Sequence, residues 1–215
     1  MDDTYQTLAG PTEGFFRDRG SKFHAYAFSV ADRSEVNNQL EVVRQLHPKA
    51  RHWCYAFRLG LDGNDYRAND DGEPSGTAGR PILGRIDSAG VTNVLVVVVR
   101  YFGGTLLGAG GLINAYKTAA ADALDGAPVV EKVIKERIAL TFDYKFMSEA
   151  MNAVKRLSVE VVQQSFTDHG ALVIAVPRSE VAETIVQLKA AIAGLHLEEA
   201  RTTEVVEGLV IDRMN

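Results

Sequence analysis

The sequence predicts an α+β protein built from two domains, and three observations carry that expectation. A short, unbroken β-branched run, Val94 to Val99, is followed by a turn holding five glycines and then by an alanine-rich helix. In the last third of the chain, apolar patterns of strand and helix period alternate as β-α-β-β-α-β. Between these regions stands Gly126-Ala127-Pro128, where the pattern changes, so the domains are expected at residues 1–128 and 129–215.

In the first domain, strands are expected near Tyr5 to Ala9 and Phe23 to Val30. A helix follows from about Ser34 to Leu46, with Val36, Leu40, Val43 and Leu46 on its apolar side. His47-Pro48 ends it, because a residue before proline is driven out of the helical region. A strand at His52 to Leu59 leads into an acidic loop and a short helix near Ala78 to Asp87. The run from Val94 is expected to be buried on both faces. The long helix is expected from about Leu112 to Leu124.

The second domain begins with alternation through Val133 to Tyr144, where Ile134, Ile138, Leu140 and Phe142 suit a strand face. Met147, Met151, Val154 and Leu157 then share one side of a helix. Val159 to Phe166 and Ala171 to Val176 form a hairpin across Thr167-Asp168-His169-Gly170, whose Asp and Gly supply turn chemistry. Val181, Ile185, Leu188 and Ile192 mark a helix that Gly194 can cap. A last strand is expected over about Arg201 to Ile211. The order is that of a ferredoxin-like split unit.

Composition narrows the function classes. Of 215 residues, 46% are hydrophobic and 24% charged, ordinary for a globular protein. One cysteine, Cys54, excludes an internal disulfide framework and suits a reducing compartment, so a cytoplasmic protein is expected. The acidic start MDDTYQTLAG lacks the apolar core of a signal peptide, and no apolar run is long enough to span a membrane. Net charge is −5, with 13 basic and 15 acidic residues up to Pro128 and 10 and 13 after it. Neither half is basic, so any contact with phosphates must be local and salt-sensitive.

Two blocks carry unusual chemistry. The first is NVLVVVVRYFGGTLLGAGGLINAY, Asn93 to Tyr116. Glycines between a buried strand and a helix start let backbone N–H groups approach an anion, and the helix end favours negative charge. The candidate anion-, nucleic-acid- or partner-binding residues are Arg100, Tyr101, Phe102, Gly103, Gly104 and Gly108, with Arg80 and Lys117. The glycines equally suit tight turning and close packing. A P-loop fails because Ala109 and Gly110 stand where Lys and Ser/Thr belong, and G-x-G-x-x-G fails at Ile113. The second block is NDDGEPSGTAGRPIL, Asn69 to Leu83. Asp70, Asp71 and Glu73 either hold a metal or exchange protons, or form a solvated acidic turn. His52 and Cys54 share a strand face, as a dyad or as a structural histidine and an inert thiol. The five histidines and one cysteine show no paired zinc spacing. No cofactor is expected.

The pairing of DDGEPSGTAGRPIL with VVVVRYFGGTLLGAGGLINAY closely resembles the IMPACT/YigZ family. KFHAYAF (Lys22 to Phe28) and HWCYAFRLG (His52 to Gly60) are similar to that family's first strands. The resemblance implies a first domain like the fourth domain of elongation factor G, a fold shared with a small-subunit ribosomal protein and the GHMP kinases. It implies a second domain like that factor's fifth. Eukaryotic members regulate translation in a stress pathway. What the resemblance implies is therefore a non-enzymatic protein that binds RNA, the ribosome or a translation-associated protein, with no membrane attachment. On that expectation Arg100, Arg80 and Lys117 meet phosphates, and Tyr101 or Phe102 stacks on an unpaired base. The other class is a binder or enzyme for a small phosphorylated molecule, using the glycine loop and acidic block. The loop departs from the kinase pattern by having Gly110 and Gly111 where that pattern has serines.

Overall fold

The computed structural model describes residues 3–214. It is a mixed α/β chain that divides into two compact units. One spans residues 5–132; the other comprises residues 133–214 with Asp3 and Thr4.

The first unit contains β1 (Thr4–Leu8), β2 (Thr12–Asp18), β3 (Ser21–Ser29), α1 (Arg33–Leu46), β4 (His52–Leu59), β5 (Asp65–Asn69), α2 (Gly79–Ala89), β6 (Val94–Tyr101), α3 (Gly108–Asp125) and β7 (Val129–Val133). Five strands form an antiparallel sheet in the order β2-β3-β6-β4-β5, while β1 pairs with β7. β6 is central, and Val94 through Val99 are fully buried. Its alternate residues enter two cores. Val94, Val96 and Val98 pack with α2 and α3, whereas Leu95, Val97 and Val99 pack with α1. This explains why the sequence shows an unbroken apolar run rather than alternation.

Local chemistry sets the helix ends. Asp32 caps α1 by accepting from the Ser34 and Glu35 N–H groups, and the Glu35 carboxylate accepts from Ala31 N–H in return. Gly90 ends α2 in the left-handed region. α3 begins at Gly108, not near Leu112, so Gly110 and Gly111 lie in its first turn. Three strands escape the periodicity: β2, β5 and β7. β5 reads DYRAN and is almost wholly polar, so it lacks the signal that betrays an inner strand.

The second unit contains β8 (Lys135–Phe142), α4 (Met147–Arg156), β9 (Glu160–Phe166), β10 (Gly170–Pro177), α5 (Val181–Ala193), α6 (Leu197–Thr202) and β11 (Leu209–Met214). Its antiparallel sheet runs β11-β8-β10-β9. Ile138, Leu140, Phe142, Leu172, Ile174 and Val176 form an apolar layer with residues of α4 and α5. Gly194 ends α5 in the left-handed region, as expected. The last strand differs from expectation. Arg201 and Thr202 belong to α6, and β11 starts only at Leu209. No helix among the described residues is long and apolar enough to cross a membrane.

Candidate functional site

Strand register assembles the site. In the β4–β6 pair His52 stands opposite Arg100, and in the β3–β6 pair Lys22 stands opposite Tyr101. The segment after α1, Lys49-Ala50-Arg51-His52, is thereby drawn alongside the end of β6. A groove of about 520 Å³ results, lined by Lys49, Ala50, Arg51, His52, Arg100, Tyr101, Phe102 and Leu106. No carboxylate of the described residues lines it. Lys49 and Arg51 are exposed, and Phe102 and Leu106 are 58% and 83% exposed.

Arg100 is not the free cation that its place in the sequence suggests. Its Nη1 donates to Glu73 Oε1 at 2.7 Å, with the two side chains only 7% and 4% exposed. Tyr116 Oη donates to the same oxygen at 2.8 Å. Arg100 Nε is buried without a partner. The guanidinium lies 5.6 Å from the Phe23 ring and 5.5 Å from the Phe102 ring. Arg100 therefore joins a buried polar cluster to the groove wall. Parity along β6 accounts for this: residue 100 continues the row Val94, Val96, Val98 into the α2/α3 core, whereas Tyr101 continues the opposite row.

The acidic block is held together by its own loop. Asp70 accepts from the N–H groups of Gly76, Ala78 and Gly79, at the start of α2. Burial pushes its carboxyl up, but these donors and the nearby Arg80 outweigh it and hold it below its ordinary value. Asp71 accepts from Trp53 N–H, and Glu73 turns inward to Arg100 and Tyr116. The three carboxylates thus serve three separate sets of donors. No cluster of three or more His, Cys, Asp or Glu able to hold a metal occurs among the described residues.

The His52–Cys54 dyad does not form. His52 Nδ1 lies 2.8 Å from the Asp71 carbonyl oxygen. The Cys54 thiol lies 3.0 Å from the Asp70 carbonyl oxygen and 3.3 Å from Tyr116 Oη. Burial pushes both the Cys54 thiol and the Tyr116 hydroxyl far above their ordinary ranges, so the sulfur is held as an unreactive thiol.

The glycines divide by role. A Cβ on Gly103 would overlap the Gly20–Ser21 backbone, and Gly103 N–H donates to Ser21 Oγ. Close packing against the β2–β3 turn therefore requires that glycine. Gly104 has φ +88° with nothing beside it; it needs glycine for its backbone. Gly108, also at positive φ, opens α3. Arg80 and Lys117 are exposed on α2 and α3 and do not line the groove. Of the residues singled out by sequence, the groove unites Arg100, Tyr101 and Phe102. It also takes in His52, which the sequence offered only as a partner for Cys54, and adds Leu106 from the glycine loop with Lys49 and Arg51, whose only sequence signal was the basic step after the helix-ending Pro48.

The fold and this site define a two-unit α+β protein presenting a cationic, aromatic groove where a buried strand meets a glycine loop. The Impact N-terminal domain family matches residues 19–124. The IMPACT family member YvyE of Bacillus subtilis is 35% identical over 135 residues, 63% of this chain and 62% of that protein. The member YigZ of Escherichia coli is 35% identical over 146 residues, 67% of this chain and 72% of that protein. The chain belongs to the IMPACT family. A yeast protein, the IMPACT homolog of Saccharomyces cerevisiae, is 38% identical over 96 residues, 42% of this chain and 36% of its own length. A crystal structure described as that of a hypothetical protein superposes with a TM-score of 0.76 at 27% identity, covering 100% of this chain and 99% of that one.

Proposed function

We propose that this protein is a non-enzymatic RNA-binding protein of the translation apparatus, and that the groove beside Arg100 is where RNA binds. One observation carries the reading: Lys49, Arg51, Tyr101 and Phe102 converge on an open groove without a carboxylate, in a chain of net charge −5. Cations supply phosphate contacts that position a nucleic acid without reading its sequence. Exposed aromatics supply faces for unpaired bases.

Family membership supports the link to translation, since the resemblance set out above implies that eukaryotic members regulate it. The strand order of the second unit, β11-β8-β10-β9, supports reading that unit as ferredoxin-like and akin to the fifth domain of elongation factor G. The first unit is proposed as the counterpart of the fourth. Metal-assisted phosphoryl transfer is the weaker reading, because Asp70, Asp71 and Glu73 are engaged elsewhere and do not line the groove.

The test is a salt titration of binding to purified ribosomes and to free RNA, with wild type beside Lys49→Glu/Arg51→Glu. Saturable binding that weakens with salt is expected, and the double variant should lose about 1.4 from the slope of log affinity against log salt, ~0.7 for each phosphate contact on a single strand. Absence of binding to either at low salt would sink the proposal.

A further inference from the structure

The groove has a neighbour. A second cavity, of about 450 Å³, is lined by Gly20, Lys22, His24, His47, Tyr101 and Phe102. Again no carboxylate of the described residues lines it. Tyr101 and Phe102 line both cavities, so the two cationic depressions adjoin at these rings.

The two rings differ in freedom. Tyr101 is pinned: its hydroxyl lies 2.9 Å from His47 Nδ1, and His47 Nε2 lies 2.7 Å from Tyr26 Oη. The His24 and Tyr101 rings meet edge to face at 5.9 Å. Phe102 is by contrast 58% exposed, with the Arg100 guanidinium 5.5 Å from its ring centre. An exposed phenylalanine on a fixed base, with Lys22 on one side and Lys49 and Arg51 on the other, has the form of a divider between successive units of a polyanion.

We infer that the groove takes single-stranded RNA, which crosses Tyr101 and Phe102 from one cavity to the other with a base stacked on Phe102. Lys22 meets the phosphate on one side of the divider, and Lys49 and Arg51 meet those on the other. This rests on the RNA-binding reading and narrows its substrate class. A duplex fits poorly because its bases are already stacked inside the helix and leave no face for Phe102. Each cavity falls in the range of roughly 300–1,000 Å³ that encloses a small organic ligand, which suits a nucleotide and not the width of an A-form helix. Stacking is also tolerant of base identity, since every base has a π-face, so little sequence preference is expected.

Fluorescence anisotropy with a short labelled RNA, free or annealed to its complement, tests this on the full chain. Wild type should bind the single strand about tenfold or more tightly than the duplex. Phe102→Ala should weaken single-strand binding by about 5- to 150-fold, the range of one lost base–aromatic stack, and leave duplex binding unmoved. Phe102→Leu keeps apolar bulk without the ring and should lose nearly as much. Thermal unfolding of each variant excludes a folding defect as the cause. Equal binding of both RNAs, or full retention by Phe102→Leu, overturns the single-strand inference while leaving RNA binding standing. Binding of neither RNA, nor of ribosomes, overturns the RNA reading itself.

Discussion

The two units build their interiors from different materials. In the second, a four-stranded sheet and its helices close over an apolar layer, and Thr184 is the one buried polar residue among those described. In the first, Thr7, Ser21, Glu73, Thr77 and Arg100 are all buried. Glu73, Arg100, Tyr116 and Cys54 form a connected cluster inside the α2/α3 core. An apolar layer is forgiving of small changes, whereas a buried ion pair is stable only while every partner remains. The difference locates the specialised chemistry of the chain. The first unit holds a charge inside its core, and that charge borders the groove.

The largest effect is expected from removing one partner of the pair. Arg100→Ala leaves Glu73 as a buried charge without its counterion, and Glu73→Ala does the converse. Each is expected to destabilise the first unit by about 3–5 kcal/mol, measured by urea unfolding. Replacing both at once with apolar residues, Glu73→Leu/Arg100→Met, is expected to recover most of that loss, since a buried pair contributes little net stability over well-packed apolar groups. If Arg100→Ala unfolds no earlier than wild type, the cluster is not what holds the first core together. Arg100→Ala is for the same reason a poor probe of binding, because its effect on RNA cannot be separated from its effect on folding.

A smaller effect tests the glycine loop. A Cβ on Gly103 would sit 2.0 Å from the Gly20 carbonyl carbon, a backbone atom. Gly103→Ala must push the β2–β3 turn and the loop apart, and it is expected to cost about 1–3 kcal/mol. Gly110→Ala has open space around it and lies within α3, where alanine is favoured by about 1 kcal/mol. A thermal melt of the two variants should therefore move in opposite directions. Loss of stability in Gly110→Ala would show that its helix turn is constrained by something other than packing.

Charge reversal at the groove is expected to leave folding almost alone. Lys49 and Arg51 are exposed and make no ion pair among the described residues. Lys49→Glu/Arg51→Glu should shift unfolding by no more than about 0.5 kcal/mol, yet weaken RNA binding at low salt by about tenfold or more. A fall in stability matching that of Arg100→Ala would erase the distinction between core charge and groove charge.

These contrasts also explain what the sequence made legible. The β6 run, the Gly194 cap and Val36, Leu40 and Val43 on α1 are local patterns, and they read correctly because each element satisfies its own periodicity; Leu46, expected on the same apolar side, is 60% exposed, because it closes the last turn of α1 beyond the reach of the sheet-side core. β5 was missed because it is an almost wholly polar edge strand, DYRAN; β2, TEGFFRD, was missed because its alternation is broken where Gly14 lies against α3 and two phenylalanines stand side by side, with Phe16 on the core. The glycine and acidic blocks stood out by composition, but their partners did not. Glu73 and Arg100 are 27 residues apart, and Lys49 and Arg51 join the groove only through the register that sets His52 opposite Arg100. Register is a tertiary property, so the groove's cations were visible only as an ordinary basic step after a helix.

The smallest effect concerns pH, and it sets the groove against its own scaffold. Burial lowers His24 and His47 below their ordinary 6.5; Lys22 adds to this for His24, and His24 does so for His47, while Glu13 opposes both. Tyr26 and Tyr101 face these rings through hydrogen bonds and edge contacts, Phe15 packs on His24 at 4.9 Å, and the two imidazoles lie 5.2 Å apart. Because the folded values lie below the unfolded one, the unfolded chain takes up protons first as pH falls. The stability these neutral rings contribute is fully present above about 6.5 and is lost as pH drops through their folded values. An RNA phosphate beside Lys22 acts in the opposite sense, favouring the imidazolium. Between neutral pH and about pH 5.5, RNA affinity should therefore rise while thermal stability falls. His24→Gln, which keeps the His47 hydrogen bonds, is expected to flatten both slopes without shifting either at pH 8. If affinity instead falls in parallel with stability on acidification, the histidines support the fold alone and do not face the ligand.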